Sequence, residues 1–167
     1  LDRIATWPGV VGYDRSDVTI TPTTYDEMRP GCYDPVARLV DMDEGGIEAM
    51  MCFPSSFPRF CGQTFSEIAD RDLGLACIRA YNDWMVEEWC GGSGGRLIPL
   101  IILPLWDPEL AAAEVRRNTS RGVRAVTFSE IPAYLGLPSI HTGYWDPLFA
   151  ACEEAGDCEG PAVEPGH

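Results

Sequence analysis

Apolar residues follow two rhythms along this chain: short unbroken runs and stripes at helical spacing. The runs span residues 47–53, 97–103 and 123–128. Unbroken runs of this length are the pattern of parallel strands covered on both faces. The stripes lie between and after them. Residues 34–44 place Val36, Leu39 and Val40 on one face. The longest stripe runs from Thr64 to about Cys90, with Leu73, Ala76, Cys77, Ala80, Tyr81 and Trp84 turned inward. Two more predicted helices cover residues 108–121 and 148–155, the last with Leu148, Ala151, Cys152 and Ala155 inward.

Local signals mark the ends of these elements. Asp34-Pro35, Asp107-Pro108 and Asp146-Pro147 each read as a helix start. The Asp side chain accepts from the first free N–H groups, and Pro fits the first helical position. Gly45, Gly122 and Gly156 read as the matching ends. Thr64 and Glu67 have capping-box spacing. Gly91-Gly92-Ser93-Gly94-Gly95 closes the long helix.

Three strands alternating with four helices predict the α/β class, as a doubly wound sheet or part of a (β/α)8 barrel. Residues 97–128 form a strand–helix–strand unit whose right-handed crossover makes its strands parallel. A full barrel takes about 250 residues, so 167 give room for roughly half. Residues 1–33 lack periodicity and read as loop or extended connection. After Gly156 stands Asp157-Cys158-Glu159-Gly160-Pro161, which cannot be a central strand. The expected organisation is one domain: an irregular segment 1–33, β/α units over 34–156, and a tail 157–167.

Charge narrows the chemistry. The net charge is −14, and all 12 basic residues are Arg. A basic nucleic-acid surface is excluded, and anionic membranes are disfavoured. With no Lys there is neither a Schiff-base lysine nor a phosphate-loop lysine. The seven Cys contain no C-x-x-C pair, which argues against a zinc cluster or a redox motif. They read as reduced, buried thiols of a cytoplasmic protein. The longest apolar run, 97–106, is too short for a bilayer.

The strand C-terminal ends supply the candidate site, because parallel strands bring them to one face. Phe53 and Ser55 follow the first strand, Trp106 the second and Glu130 the third; His141 lies in the loop beyond. Glu130 reads either as cleft wall, where it can act as acid, base or hydrogen-bond partner, or as a solvent-facing loop residue. His141 reads as a substrate contact or as loop packing. Trp106 reads as packing and Asp107 as a helix cap. Gly91-x-Ser93-x-Gly95 matches the hydrolase nucleophile pattern, but a helix precedes it and a strand follows, the reverse of the required context. No glycine-rich phosphate loop follows a strand.

Several segments resemble one family. They are Tyr33-Asp34-Pro35-x-x-Arg38-Leu39-x-Asp41-Met42-Asp43 with Gly46-Ile47-Glu48-Ala49, then Ala80-Tyr81-Asn82-Asp83-Trp84 and Arg96-Leu97-Ile98-Pro99-Leu100. Leu103 to Pro108, Arg121 to Val126, Pro132 to Ser139, Tyr144 to Pro147 and Ala151 to Gly156 continue the series in order. Over residues 33–156 the chain resembles the amidohydrolase-2 family of metal-dependent TIM barrels, which includes hydrolases and decarboxylases related to aminocarboxymuconate-semialdehyde decarboxylase.

The resemblance implies strands two to four of such a barrel, with flanking helices. It implies a small-molecule, carboxylate-bearing substrate and a divalent metal, zinc or manganese, in the complete enzyme. The family holds that metal with an H-x-H on strand one, His on strands five and six, and Asp on strand eight. None of these maps onto this chain, whose two His are His141 and His167. The expectation is a truncated or frameshifted product, with no metal and no catalysis of its own. The alternative is a non-catalytic α/β module that self-associates through strand edges or binds a partner.

Overall fold

A computed structural model describes residues 24–54 and 57–157. The predicted tail beyond Asp157 and most of the irregular N-terminal segment lie outside the described residues. Residues 24–33 carry two 3-10 turns, Tyr25–Glu27 and Pro30–Cys32. They are tied to the first helix by Arg29, which donates to both Asp41 carboxylate oxygens at 2.7 and 2.9 Å.

The elements alternate as the pattern predicts. Helix α1 spans Pro35–Glu44, strand β1 Met50–Cys52, α2 Gln63–Ser66 and α3 Arg71–Trp84. A π-helical turn, Met85–Trp89, extends α3. Strand β2 spans Leu97–Pro99, α4 Pro108–Thr119 and α5 Asp146–Asp157. Strands β1 and β2 are parallel, with Met50 opposite Leu97 and Cys52 opposite Pro99. Beyond β2, Ile101 bridges Val126 in the same parallel sense. Thr127 N–H donates to Ile101 O at 2.9 Å. Three extended segments therefore lie side by side in chain order and run the same way.

The regular strands are shorter than the apolar runs. Beyond β2 a side chain takes the place of a partner strand. Ile101 turns its backbone groups to residues 125–127, so those of Ile102 face the β1 side. There Asn82 of α3 takes both: its Nδ2 donates to Ile102 O at 2.9 Å, and Ile102 N–H donates to Asn82 Oδ1 at 2.9 Å. A helix side chain stands where a neighbouring strand would, and Pro54 offers no N–H to compete.

Asn82 also explains why α3 buries a different stripe from the one expected. Gly74, Ile78, Asn82 and Met85 face inward, while Leu73 and Trp84 are exposed. The inward row contains a glycine and an amide, which a hydrophobic count does not register. Gly74 is needed because a Cβ there would lie 2.9 Å from Phe65 O. The capping box is also absent. Thr64 Oγ1 donates to Phe57 O, α2 is a single turn, and the long helix starts at Asp70, which accepts from Asp72 and Leu73 N–H.

Two of the three Asp-Pro starts are caps. Asp34 accepts from Val36 N–H, and Asp107 from Glu109 and Leu110 N–H at 2.9 and 3.1 Å. At the third, Asp146 is already helical. Gly122 takes the left-handed conformation after α4 (φ 89°), whereas after α1 this falls to Gly46 rather than Gly45. Asp107→Ala should cost about 1 kcal/mol and lower the calorimetric midpoint by roughly 2–4 °C.

The main core joins Ile101, Leu103 and Leu105 to Ala111, Ala112 and Val115 of α4 and to Leu148 and Ala151 of α5. A second cluster holds Met42, Cys52, Met85, Cys90 and Leu97, and a third Phe65, Ile78 and Ile102. No helix among the described residues is long and apolar enough to cross a membrane.

Candidate functional site

The parallel segments bring the residues after β1, β2 and Val126 toward one end of the sheet. Phe53 is exposed there. Ser55 lies outside the described residues. Trp106 is half-buried, and its surroundings are structural. Its ring packs against the Phe65–Ile78–Ile102 cluster, the Arg71 guanidinium lies 5.0 Å from the ring centroid, and its carbonyl accepts from Tyr144 O–H at 3.0 Å. Asp107, next to it, is occupied as the α4 cap.

Glu130 and His141 are both exposed. The loop carrying them is anchored by Trp145, whose Nε1–H donates to Pro138 O at 3.0 Å. Among the described residues no hydrogen bond or ion pair joins the Glu130 carboxylate to the His141 imidazole, so the two are not assembled into an acid–base pair. A groove between residues 123–126, α4 and α5, lined by Ile101, Val115, Val126, Cys152 and Ala155, contains none of the five candidates.

Ser93 is excluded as a nucleophile by its own bonds. It is buried, its Oγ donates to Cys90 O at 2.6 Å, and it accepts from Leu97 N–H at 3.1 Å. The hydroxyl pins the turn leading into β2.

Among the described residues no three His, Cys, Asp or Glu side chains come together in metal-holding range. His141 is the one described histidine and stands apart on its loop.

The densest polar assembly lies elsewhere, between α3 and α4. Glu114 is buried and receives Asn82 Nδ2 at 2.8 Å, Asn118 Nδ2 at 2.8 Å and a bidentate Arg117 fork at 2.7 and 2.9 Å. Arg117 and Arg121 both donate to Asp83 Oδ1, and Arg121 reaches Glu87. Burial works to raise the Glu114 pKa, yet the bonds from Arg117, Asn82 and Asn118 outweigh it and hold the carboxyl below its ordinary range. Asp83 is likewise held low by Arg117 and Arg121 against its desolvation. This assembly clamps helix to helix and helix to sheet; it does not open into a cleft. Sequence reasoning placed Asn82 and Asp83 in a family-like segment but gave them no role.

The sign of the pH effect follows. A carboxyl whose pKa is depressed by folding stabilises the fold fully above its unfolded value. That stability drains as the pH falls through the folded value. Thermal midpoints should stay level down to about pH 5 and fall below it, and Glu114→Gln should flatten that acid limb.

A sequence model of the amidohydrolase family matches residues 6–156. No curated protein matches. Among solved structures, the chain is similar to 5-carboxyvanillate decarboxylase from Novosphingobium aromaticivorans, in a variant with bound manganese and 3-methoxy-4-hydroxy-5-nitrobenzoic acid. Identity is 22% and the TM-score 0.54, over 71% of this chain and 32% of the decarboxylase. The chain thus spans about a third of that enzyme's length, and the likeness is one of fold. Sequential parallel segments, covering helices and a family match over nearly the whole chain agree: this protein belongs to the amidohydrolase family, and its described residues form part of a TIM-barrel wall.

Proposed function

We propose that this chain supplies strands two to four of a metal-dependent hydrolase or decarboxylase acting on a small carboxylate-bearing substrate. The observation that carries this is the order of the sheet: β1, β2 and the segment around Val126 are neighbours in chain order and parallel. The decarboxylase it resembles has manganese and a substituted benzoic acid bound, which favours the same chemistry here. In the complete enzyme the metal would polarise substrate or activate water. This chain's part is to build the wall and offer Phe53, Ser55, Trp106, Glu130 and His141 at the substrate end. Glu130 and His141 bring polar atoms, Phe53 and Trp106 flat apolar surface. The described cysteines are all free thiols, which favours a cytoplasmic setting.

On this reading the chain alone is catalytically incomplete. Elemental analysis after equilibration with zinc and manganese, paired with assays of carbon dioxide release and hydrolysis on aromatic carboxylates, tests it. Metal well below one equivalent and no turnover are expected; a retained equivalent with turnover overturns it.

A second reading, a non-catalytic module that self-associates, is favoured by the apolar side chains around the end of β1. Met51, Phe53, Phe57 and Phe60 are all about half exposed or more. Sedimentation over a concentration series separates the two: a reversible dimer supports the module, a monomer at all concentrations counts against it.

A further inference from the structure

We propose that Arg38 is a substrate-binding residue, whose guanidinium takes the substrate carboxylate in a two-pronged hydrogen bond at the C-terminal end of the sheet. The inference rests on the reading of a small carboxylate-bearing substrate, and it gives that carboxylate a partner outside the five candidates.

Arg38 stands apart from every other described arginine. Those donate to a carboxylate or to a backbone carbonyl. Arg38 is half-buried, and its Nε is buried with no hydrogen-bond partner. Among the described residues its guanidinium makes no ion pair either. A buried guanidinium N–H without an acceptor costs stability, so it calls for a reason. Shortage of acids is not the reason, since the chain has 26 acidic residues against 12 basic ones. Asp41, one turn along the same helix, is already taken: Arg29 Nε and Nη2 hold its two oxygens at 2.9 and 2.7 Å. That pair displays the fork-to-carboxylate geometry for which Arg38 is equipped. A planar carboxylate fits Nε and Nη2 of Arg38 in the same way.

The fold carries this guanidinium to the candidate-site end. The C-terminal end of α1 is fastened to the start of the strands. Arg96, just before β2, pairs with Asp43 at 2.7 Å and donates to the Ile47 and Glu48 carbonyls. Helix α1 therefore runs antiparallel to β1, and its first turn lies toward the C-terminal ends of the strands. Arg38 is about 7 Å nearer that end than Asp43, and helix side chains lean toward the helix N-terminus. Met42, one turn on along the same face, packs in the cluster with Cys52, the last residue of β1. Arg38 thus lies one turn beyond Met42 in the direction of Phe53, which is exposed and offers a flat apolar face to a ring.

Sodium benzoate titrated into the whole chain tests this, read by arginine side-chain N–H signals and by the thermal midpoint. Saturable binding is expected, with the Arg38 Nε–H signal moving most among the arginines. At about ten times Kd the midpoint should rise by roughly 3–6 °C. Benzamide, the neutral isostere, should bind at least about tenfold more weakly. Arg38→Met keeps the apolar stem and drops the charge. Its Kd for benzoate should rise at least about tenfold, while its midpoint without benzoate stays level or rises, because an unpaired buried donor has gone. Arg38→Lys should recover part of the affinity, as a point charge without the fork. Four results each overturn the proposal: no saturable binding, full affinity in Arg38→Met, benzamide as tight as benzoate, or the largest shift at another arginine. A lower midpoint in Arg38→Met marks the residue as structural and overturns it too. None of these readouts uses metal or turnover. Turnover by the chain alone would sink the reading of catalytic incompleteness and leave benzoate binding in place, whereas failed benzoate binding leaves the sheet order and the metal test untouched.

Discussion

Replacing Asn82 with leucine should lower the stability of this protein by about 3–5 kcal/mol, a large share of what a domain of this size has. The side chain is fully buried and makes three bonds: two with the backbone of Ile102 and one to Glu114. Leucine fits the volume but pairs with neither group of Ile102, so a buried donor and a buried acceptor lose their partners together. Each costs about 1–3 kcal/mol. Glu114 also loses one of the donors that keep it charged in a buried place. Urea denaturation measures this as a shifted midpoint at constant slope. Asn82→Asp is the sharper probe. It can still accept from Ile102 N–H, but it cannot donate to Ile102 O and sets a second carboxylate beside Glu114. At neutral pH it should be at least as harmful as leucine. Near wild-type stability for either variant contradicts the role given to this residue.

Trp145→Ala is the second large effect, about 3–5 kcal/mol. The indole is fully buried, its centroid 4.9 Å from both Phe128 and Tyr144 in edge-on geometry. Truncation leaves a cavity against Leu148 and Ala151 and frees Pro138 O. Trp145 holds the loop bearing Glu130 and His141 to the wall, beside the Tyr144–Trp106 bond, so hydrogen exchange should quicken over residues 129–144 before it does in β2. Trp145→Phe keeps the apolar contact and drops the hydrogen bond, and should cost about 1–2 kcal/mol. Unchanged exchange in the loop of Trp145→Ala means another contact anchors it.

These two residues show where a sequence stops being legible. The alternation of elements was readable because apolar runs and Asp-Pro caps act locally: Asp34 and Asp107 cap through N–H groups two or three residues away. The parallel sense was readable because a strand–helix–strand crossover has one favoured hand. Asn82 was not readable, since its partners at Ile102 and Glu114 are 20 and 32 residues away and no spacing rule joins an amide to a strand it never adjoins. The buried row of α3 contains Gly74 and Asn82, so the apolar stripe through Leu73 and Trp84 misled. Thr64 and Glu67 had the right spacing for a cap, but the Thr64 hydroxyl found Phe57 O instead. At the candidate site, the strand ends pointed to Trp106 and Glu130 as candidates. What each does there depends on neighbours from other elements, and for Trp106 those are Arg71 of α3 and Tyr144.

The account rests on a barrel wall whose extended segments are sequential and parallel. Cross-strand nuclear Overhauser contacts in labelled protein test this most directly. The account predicts Met50 beside Leu97, Cys52 beside Pro99 and Ile101 beside Val126, with registers advancing together along each pair. Registers that run in opposite directions between any two of these segments contradict it.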